Sequence, residues 1–323
     1  MALPKSGRRK LGNSSLEVSP IGLGVMQFAG GGGMFRFMFS KISQSEKDLI
    51  VKTALEGGIN WFDTAEYYGW GRSERSLRDV LANNEVLDEE VLIATKWWPT
   101  PRTAKSIKRT IGTRLKNLEG YTLDLHQVHW PLSFSSPEAE MDAMTDLVEQ
   151  GKIRAVGVSN FSAGYTRRAH AALVRRDLGL ASNQVQFSLI NRKIETNGIL
   201  ETAKELGVSI IAWSPVASGL LTGKFHLQPE VLRNTPVARR ANLSRQLKKT
   251  KPLIDAMGEM AKRHGVTITQ VALNWTVNFH GEIVVAIPGA SKPRHAEEAA
   301  GVMAFRLTDE EMVRLDELSR QYR

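Results

Sequence analysis

Short apolar runs alternate with amphipathic stretches along most of the chain, as they do in α/β proteins with a parallel sheet. The stretches between the runs have helical periodicity, for example SEKDLIVKTALEGG and PEAEMDAMTDLVEQGK, and several end at a glycine that suits a helix C-cap. Eight runs rich in β-branched or apolar residues are predicted to be strands, at 20–26, 59–64, 91–96, 122–130, 153–159, 183–187, 208–214 and 282–288. The pattern therefore predicts eight successive strand–helix units.

Two architectures fit this alternation, a (β/α)8 TIM barrel and a doubly wound open sheet. The runs recur every roughly 25 to 32 residues in most cases, which matches the repeat of a barrel. An open sheet would normally carry G-x-G-x-x-G after its first strand, and both GLGVMQ and GWGRSE lack the third glycine. We therefore predict a single barrel domain over residues 1–323. The run GGGG at 30–33, followed by MFRFMF, is predicted to be a mobile loop rather than a phosphate cradle.

Three additions to the barrel are predicted. RRKLGNSSLEVSP has two short runs around a Gly-Asn-Ser-Ser turn, which indicates an N-terminal β-hairpin. The interval after the seventh run is long and contains the helical stretches KPLIDAMGEMAKRHG and TITQVALNWTVNFHG, so an elaborated loop is expected there. The C-terminal LTDEEMVRLDELSRQYR is predicted to be an extra helix opened by a Thr-x-x-Glu capping box.

Composition narrows the class of protein. The chain has 323 residues, 42% of them hydrophobic, which is enough to bury a large core. It contains no cysteine, which excludes disulfides, thiolate metal sites and cysteine nucleophiles. MALPKSGRRK is basic but leads into LGNSSLEVSP rather than the apolar stretch of a secretion signal, and no window approaches ~20 apolar residues. We therefore expect a soluble, cytoplasmic protein without a membrane partner.

The net charge of +9, from 43 Lys and Arg against 34 Asp and Glu, makes an anionic partner a candidate. Most basic residues are dispersed along helical stretches, and only ARRANLSRQLKKTK at 238–251 is a dense basic run. No recognition helix or aromatic RNA-binding signature accompanies it, so we predict no nucleic-acid partner. A small molecule that carries phosphate groups would also be attracted by this positive charge.

Polar side chains stand where three predicted strands end. Asp63, Lys96 and His129 end the second, third and fourth runs, and Tyr67 and Tyr68 follow on the loop after Asp63. Singly, each has an ordinary explanation as a helix cap, a solvent-facing lysine or a core histidine. In a barrel, however, the C-terminal ends of the strands face one active site, where a Lys and an Asp would compensate each other's buried charge. An ammonium beside a tyrosine is expected to lower the pKa of the phenol toward a value useful for proton transfer.

Seven stretches resemble, in the same order along nearly the whole chain, signature segments of the aldo-keto reductase superfamily: FDTAEYYG, ATKWWP, VHWP, RAVGVSNFS, NQVQFS, IIAWSPVASGLLTGKF and IPGASKPRHAEE. In that family an Asp-Tyr-Lys-His tetrad reduces carbonyl groups with NADPH inside a (β/α)8 barrel. Matched residue by residue, the tetrad here is Asp63, Tyr68, Lys96 and His129. The spacing from Asp63 and the glycine that follows select Tyr68 rather than Tyr67.

The resemblance implies a division of roles within the tetrad. Tyr68 would donate the proton, Lys96 would tune its acidity, Asp63 would hold the lysine, and His129 would position the carbonyl oxygen by a hydrogen bond. The coenzyme would supply the hydride.

The resemblance also implies a site for NADPH/NADP+ over the loops after strands five to eight. The nicotinamide amide is expected on Ser159, Asn160 and Gln184, with the Trp213 ring stacked on the nicotinamide. Singly, these residues would also fit a helix cap, a barrel-interior amide and a core ring. The remaining expected coenzyme contacts are Met26, Asp63, Ser214, Pro215, Ser218, Leu220, Gly223, Lys224, Gly289, His295 and Glu298.

NADPH is favoured over NADH because Ser291 and Lys292 directly precede a predicted helix, whose N-terminal amides also suit a phosphate. Arg240, in the basic run, is expected to close over the phosphates as a comparable arginine does in relatives, although a solvated loop is the alternative. Two positions depart from the family pattern, since His295 stands where relatives often have Arg or Gln and Ala299 where many have Asn.

The substrate is predicted to be a small carbonyl compound bound against an aromatic wall. Candidates for this wall are Met26, Phe28, Trp97, Trp98 and Trp130, although each would also suit the core. The physiological substrate and the oligomeric state are left open.

Two other functions compete with a reductase. The first is a coenzyme-binding redox sensor similar to the β subunits of potassium channels, which share these motifs and keep a tetrad. The second is a metal-dependent hydrolase built on Asp63 and His129. It lacks a clustered set of carboxylates and histidines in the sequence, so no metal is predicted.

Overall fold

The computed structural model describes residues 7–30, 42–227 and 237–323, with no side chain described for 237–245. Gly30 apart, the predicted mobile loop with GGGG and MFRFMF lies outside the described residues.

Eight parallel strands pair in chain order to form the predicted barrel. They are β3 (Leu23–Gly24), β4 (Trp61–Asp63), β5 (Leu92–Trp97), β6 (Leu125–Val128), β7 (Ala155–Ser159), β8 (Leu180–Gln186), β9 (Ser209–Trp213) and β10 (Val284–Ile287). Parallel bridges from Ile21 to Ala286 and from Gly24 to Gly289 join the first strand to the last. The eight-stranded (β/α)8 architecture is therefore confirmed.

The N-terminal hairpin is present and packs against the N-terminal ends of the barrel strands. Its strands β1 (Arg9–Lys10) and β2 (Glu17–Val18) are antiparallel. Gly12 in its turn has φ +52°, and a Cβ there would lie 2.1 Å from the carbonyl oxygen of Ala181, so only glycine fits. The hairpin residues Leu11, Leu16 and Val18 are buried in one cluster with barrel residues Trp61, Ala94, Leu125, Ala155, Ala181, Ile211 and Val285. The base of the barrel is therefore filled by apolar side chains.

Helices follow the strands in the expected alternation, and their starts agree with capping chemistry. Ser43 and Thr308 each form a capping box with the Glu three residues later. The helices are α1 (Gln44–Glu56), α2 (Arg72–Asn83), α3 (Lys105–Asn117), α4 (Pro137–Glu149), α5 (Ala163–Val174), α6 (Ile199–Leu206), α7 (Lys224–Leu227), α8 (Val237–His264), α9 (Ile268–Asn278), α10 (Pro293–Gly301) and α11 (Asp309–Ser319). The predicted C-terminal helix is α11. No helix in the described ranges is both long enough and apolar enough to cross a membrane.

The basic run after the seventh barrel strand is helical rather than a loop. Residues 238–251 form the first half of α8, which continues through Pro252 to His264. Proline costs a helix one hydrogen bond and causes a steric clash with the preceding turn, so Pro252 by itself disfavours a continuous helix here. Beyond Pro252 the helix packs firmly, because Leu253, Ile254, Met257 and Met260 are all buried.

A buried carboxyl group predicts how stability changes with pH. Glu140 of α4 is 2% exposed and accepts a hydrogen bond of 2.6 Å from Ser133, which ties the preceding loop to the helix. Burial raises the pKa of Glu140 to about 7, so the folded protein binds this proton more tightly than the unfolded chain. Stability is expected to fall as pH rises from about 4.5 to about 7, by up to about 3 kcal/mol.

Glu140→Gln should remove this loss, because the amide can still accept from Ser133 without carrying a charge. Urea denaturation should show the variant more stable than the wild type at pH 8 and nearly equal to it at pH 4.5. An equal difference at both pH values would contradict the assignment.

Candidate active site

Asp63 and Lys96 form a buried ion pair inside the barrel, where β4 and β5 end. The Lys96 ammonium donates to Asp63 Oδ1, and also to the backbone oxygen of Thr64 at 2.8 Å. Both charged side chains are almost wholly excluded from solvent. Such a pair persists in a protein interior only when its geometry is good and its remaining polar atoms are bonded. The expected meeting of these two strand ends is therefore present in the structure.

The structure distinguishes the two tyrosines that follow Asp63. The Lys96 ammonium lies 5.1 Å from the centre of the Tyr68 ring, and its positive charge acts to lower the pKa of the phenol. The Tyr67 ring instead stacks on Trp98, with ring centres 4.0 Å apart. Tyr68 is thus the phenol that faces the lysine.

The pKa of Tyr68 differs from the expectation. Burial raises it above its ordinary value of 10 and Asp63 raises it further, while Lys96 acts in the opposite direction. Burial also lowers the pKa of Lys96, but Asp63 and Tyr68 together raise it above its ordinary value. The expectation of a lowered phenol pKa is therefore wrong for the protein alone, because desolvation outweighs the ammonium. The pair keeps Lys96 charged and Tyr68 protonated, which is the state that a proton donor requires.

His129 closes the group as a neutral imidazole. Its ring meets the Tyr68 ring edge to face, with centres 5.7 Å apart. Burial and the nearby Lys96 charge hold its pKa well below the usual range. The backbone oxygen of His129 accepts from the Asn160 amide at 3.2 Å, which joins the ends of β6 and β7. A neutral imidazole here can donate one hydrogen bond to a substrate oxygen.

Gln127 is a buried polar residue of this site that the sequence interpretation did not select. Its Nε2 donates to Asp63 Oδ2 at 3.2 Å, and Gln184 Nε2 donates to the same oxygen at 2.9 Å. The signal was available, because side chains alternate along a strand and Gln127 lies two residues before the inward-facing His129.

Four residues expected to bind the nicotinamide lie together. Asn160 Nδ2 donates to Ser159 Oγ at 2.9 Å, and Trp213 Nε1 donates to Asn160 Oδ1 at 3.1 Å. The Ser159 hydroxyl donates to the backbone oxygen of Gln184 at 2.9 Å. Asn160 is also held in a left-handed conformation, with φ +61°. These hydrogen bonds fix two amides, a hydroxyl and an indole ring close together. Such polar groups can form hydrogen bonds with a carboxamide.

The loop after β9 contains five residues with a left-handed backbone conformation. Ser214, Ala217, Ser218, Gly219 and Gly223 all have positive φ, between +48° and +89°. Left-handed residues are uncommon outside glycine, and turns built from them direct successive N–H groups to one side, where they attract anions. The expected pyrophosphate contacts lie on this loop, with Ser218 and Lys224 exposed and Pro215, Leu220 and Gly223 buried.

Three basic residues lie near His295 at the start of α10. Burial lowers the pKa of His295, and the charges of Arg294, Lys292 and Lys224 lower it further. The neutral ring accepts a hydrogen bond of 3.3 Å at Nδ1 from the Ser291 backbone N–H. Arg294 was missing from the expected contacts although it adds positive charge here. This cluster of cations beside a helix N-terminus matches the charge of a phosphate. Glu298 lies on the same helix, half-buried, and burial raises its pKa.

Several expected contacts lie elsewhere or remain predictions. Phe28 and Trp97 are buried in the main core, and Trp97 donates to Ser106 at 3.1 Å, so neither belongs to a substrate wall. Of the other candidates, Met26, Trp98 and Trp130 are half-buried. Gly289 faces Gln27, because a Cβ there would lie 2.3 Å from the Gln27 amide. The side chain of Arg240 lies outside the described residues.

A buried ionic cluster braces the loop that carries Tyr68. Arg114 of α3 pairs with Glu66 at 3.0 Å and with Glu74 at 2.9 Å, and all three side chains are buried. Glu66 also accepts from the Trp98 backbone amide at 3.0 Å and from Arg102 at 2.8 Å. The segment from Glu66 to Glu74 is therefore fixed to the end of β5 and to α3 by charged side chains, of which Glu66, Glu74 and Arg114 are buried.

Within the described ranges, no three His, Asp or Glu side chains are placed to hold a metal ion.

Comparison with known proteins places these features in context. The model of the aldo/keto reductase family matches residues 20–320. The chain is 33% identical to the chloroplastic pyridoxal reductase of Arabidopsis thaliana, over 95% of this chain and 85% of that protein. Its fold is similar to that of a thermostable aldo-keto reductase crystallised with the inhibitor epalrestat, with a TM-score of 0.77, 29% identity and coverage of 96% and 99% of the two chains. An aldo-keto reductase of Klebsiella pneumoniae crystallised with NADPH has a similar fold, with a TM-score of 0.72, 23% identity and coverage of 97% and 95%.

Proposed function

Because the chain belongs to the aldo/keto reductase family, we propose that it is an NADPH-dependent oxidoreductase that reduces aldehydes or ketones to alcohols. The observation that carries this proposal is the Asp63–Lys96 ion pair directed at the Tyr68 phenol beside a neutral His129. We place the activity in the cytoplasm, with a small-molecule carbonyl compound as the partner.

The chain's own residues manage the proton and the charge. Negative charge develops on the carbonyl oxygen during reduction, and His129 stabilises it with a hydrogen bond while Tyr68 gives up its proton. Loss of that proton makes Tyr68 a phenolate, which the adjacent Lys96 ammonium stabilises. Asp63 keeps the ammonium in place and charged throughout. Each negative charge that develops during the reaction, on the carbonyl oxygen and on the Tyr68 oxygen, therefore has a partner in the site that stabilises it.

The residues present fit NADPH. Ser159, Asn160 and Gln184 would hold the carboxamide, Trp213 would cover the ring, and the left-handed loop after β9 would receive the pyrophosphate. When bound, the coenzyme supplies a hydride to the carbonyl carbon. Lys292 and Arg294 would neutralise the 2′-phosphate that distinguishes NADPH from NADH.

The rings near His129 favour a flat substrate. Trp98 meets His129 edge to face at 5.5 Å between ring centres, and its indole is extended by Tyr67, whose ring meets Trp70 edge to face at 5.6 Å. A planar aromatic aldehyde would bury apolar area on such rings. Pyridoxal, named in the activity of the Arabidopsis relative, is such an aldehyde and is the first substrate to assay.

The test is steady-state oxidation of NADPH by the purified protein with pyridoxal, other aromatic aldehydes and short aliphatic aldehydes. Sustained turnover with at least one of them supports the proposal. Tight coenzyme binding with at most one turnover per protein would overturn it and favour the redox-sensing alternative.

Coenzyme preference gives a separate prediction. NADPH should bind at least about tenfold more tightly than NADH, and Lys292→Ala should reduce the ratio about three- to tenfold by removing one contact to the 2′-phosphate. Fluorescence titration with both coenzymes measures the ratio.

Lys251→Ala is the matched control, since Lys251 is an exposed lysine that pairs with Asp255 on α8. It should leave the ratio unchanged. A ratio near one in the wild type would overturn the assignment of this cluster.

A further inference from the structure

Gln127 occupies the centre of the barrel, next to the catalytic ion pair. It lies on β6, its side chain is fully buried, and its Cα is in register with Lys96 on one side and Gly157 on the other. A glutamine in such a place needs partners for its amide, because an unbonded polar group in a protein interior costs stability.

The Gln127 amide joins three side chains into one cluster. Its Nε2 donates to Asp63 Oδ2 at 3.2 Å, while its Oε1 accepts from Gln184 Nε2 at 3.4 Å. Gln184 Nε2 donates also to Asp63 Oδ2 at 2.9 Å. Asp63 Oδ1 thus accepts from Lys96, and Asp63 Oδ2 accepts from the two amides. Both carboxylate oxygens are therefore hydrogen-bonded.

Gly157 leaves the space that this arrangement uses. A Cβ at Gly157 would lie 2.9 Å from Gln127 Cγ and 2.6 Å from Ser182 Oγ, closer than real Cβ contacts. With no side chain at this point of β7, the Gln127 side chain passes beside that strand toward Asp63. The small residue on one strand and the long amide on the next are complementary.

The position of the Asp63 carboxylate decides how strongly Lys96 acts on Tyr68. A carboxylate held by two amides on one oxygen cannot rotate to offer both oxygens to the ammonium. It also carries a smaller effective negative charge toward Lys96, because the amide dipoles stabilise part of that charge. The two amides therefore strengthen the electrostatic interaction between the Lys96 ammonium and the Tyr68 phenol.

We propose that Gln127 is a positioning residue, which fixes Asp63 through a shared amide cluster with Gln184 and so sets the strength of the Lys96–Tyr68 interaction. The proposal rests on the proposed function for its kinetic consequences only. Its effect on Tyr68 exists in the protein without coenzyme or substrate.

The direct test replaces the amide while keeping the shape, with Gln127→Met. The protein carries tyrosines labelled with 13C at Cζ, and the Tyr68 resonance is the one of five that disappears in Tyr68→Phe. Without coenzyme, at neutral pH, the Tyr68 resonance of Gln127→Met should shift while the other four stay in place. In the kinetic assay kcat should fall about tenfold, with the NADPH dissociation constant within about twofold of the wild type.

Asn183→Leu is the matched control. Asn183 is also a fully buried amide, one residue before Gln184, but it faces away from the site and donates to the Phe161 backbone oxygen at 2.9 Å and to Thr166 at 3.1 Å. This variant should lose stability as Gln127→Met does, with the Tyr68 resonance and kcat unchanged. A loss of stability alone is therefore not expected to shift the Tyr68 resonance or to lower kcat.

Gln127→Glu keeps the test possible if the methionine variant fails to fold. The introduced carboxyl would face Asp63 at hydrogen-bond distance, where two carboxylates cannot both stay ionised at low cost. When protonated it donates to Asp63 as the amide did. Both the Tyr68 resonance and kcat should therefore return toward wild-type values as pH falls through the pKa of this carboxyl, in contrast to the wild type.

The outcomes distinguish a failure of the positioning role of Gln127 from a failure of the proposed reductase function. An unmoved Tyr68 resonance in folded Gln127→Met, or a Tyr68 resonance in Gln127→Glu that stays displaced from the wild-type position at every pH, overturns the positioning role. A wild-type protein that reduces no carbonyl compound refutes the proposed function instead, and the resonance measurements still decide the role of Gln127.

Discussion

Tyr68→Phe is expected to lower kcat for carbonyl reduction by about 10²- to 10⁴-fold, the range that general acid catalysis contributes. The phenylalanine ring keeps the contacts with His129 and Lys96, so the loss comes from the missing hydroxyl proton. Coenzyme affinity should stay within about twofold of the wild type, because Tyr68 is not among the residues expected to hold the coenzyme. Single-turnover and steady-state assays with NADPH measure the change in rate, and coenzyme titration measures the affinity.

Tyr67→Phe provides the control, since it removes a hydroxyl from the adjacent tyrosine and retains the ring stacked on Trp98. Its kcat should remain within about fivefold of the wild type. If both variants lost activity equally, or if Tyr67→Phe alone did, the assignment of Tyr68 as the proton donor would be refuted.

Arg114→Met is expected to lower the free energy of unfolding by about 3–5 kcal/mol, as when one partner of a buried ion pair is removed. Glu66 and Glu74 both lose their pairing with this arginine. Burial already raises the pKa of Glu74 against the opposing effect of Arg114, so in the variant Glu74 should take up a proton more readily. The destabilisation should therefore be smaller at pH 5 than at pH 8, in urea denaturation followed by tryptophan fluorescence.

Arg109→Met is the control on the same helix, because Arg109 is an exposed arginine of α3. It should change stability by less than about 0.5 kcal/mol. Adding Glu74→Gln to Arg114→Met should recover part of the loss, since the substitution removes one unpaired buried charge. A double variant no more stable than the single one would show that the charge of Glu74 does not matter.

Strand order and the catalytic strand ends could be predicted because both depend on short-range patterns. Asp63, Lys96 and His129 each follow an apolar run, and parallel strands bring such ends to one side of a barrel. The resemblance to a known family was needed to choose Tyr68, because nothing local in the sequence separates it from Tyr67. The contacts of Tyr68 with Lys96 and His129 show that difference physically.

The errors have physical causes of two kinds. Trp97 was assigned to a substrate wall although alternation along β5 turns it away from Lys96, and the same alternation applied to β6 would have found Gln127. Other features depend on tertiary surroundings that sequence patterns do not contain. The helix through Pro252 is fixed by buried residues beyond the proline, and the direction of the Tyr68 pKa depends on how completely water is removed from the phenol.

The filled base of the barrel has a consequence for the order of events during turnover. Because the hairpin residues Leu11, Leu16 and Val18 fill that base together with the lowest interior side chains, we expect ligands to reach Tyr68 from the opposite opening. If coenzyme and substrate both enter through that opening and the coenzyme lies deeper, we expect the coenzyme to bind first and leave last. Such an order of binding would be a consequence of the small N-terminal hairpin, which lies far from any reacting atom.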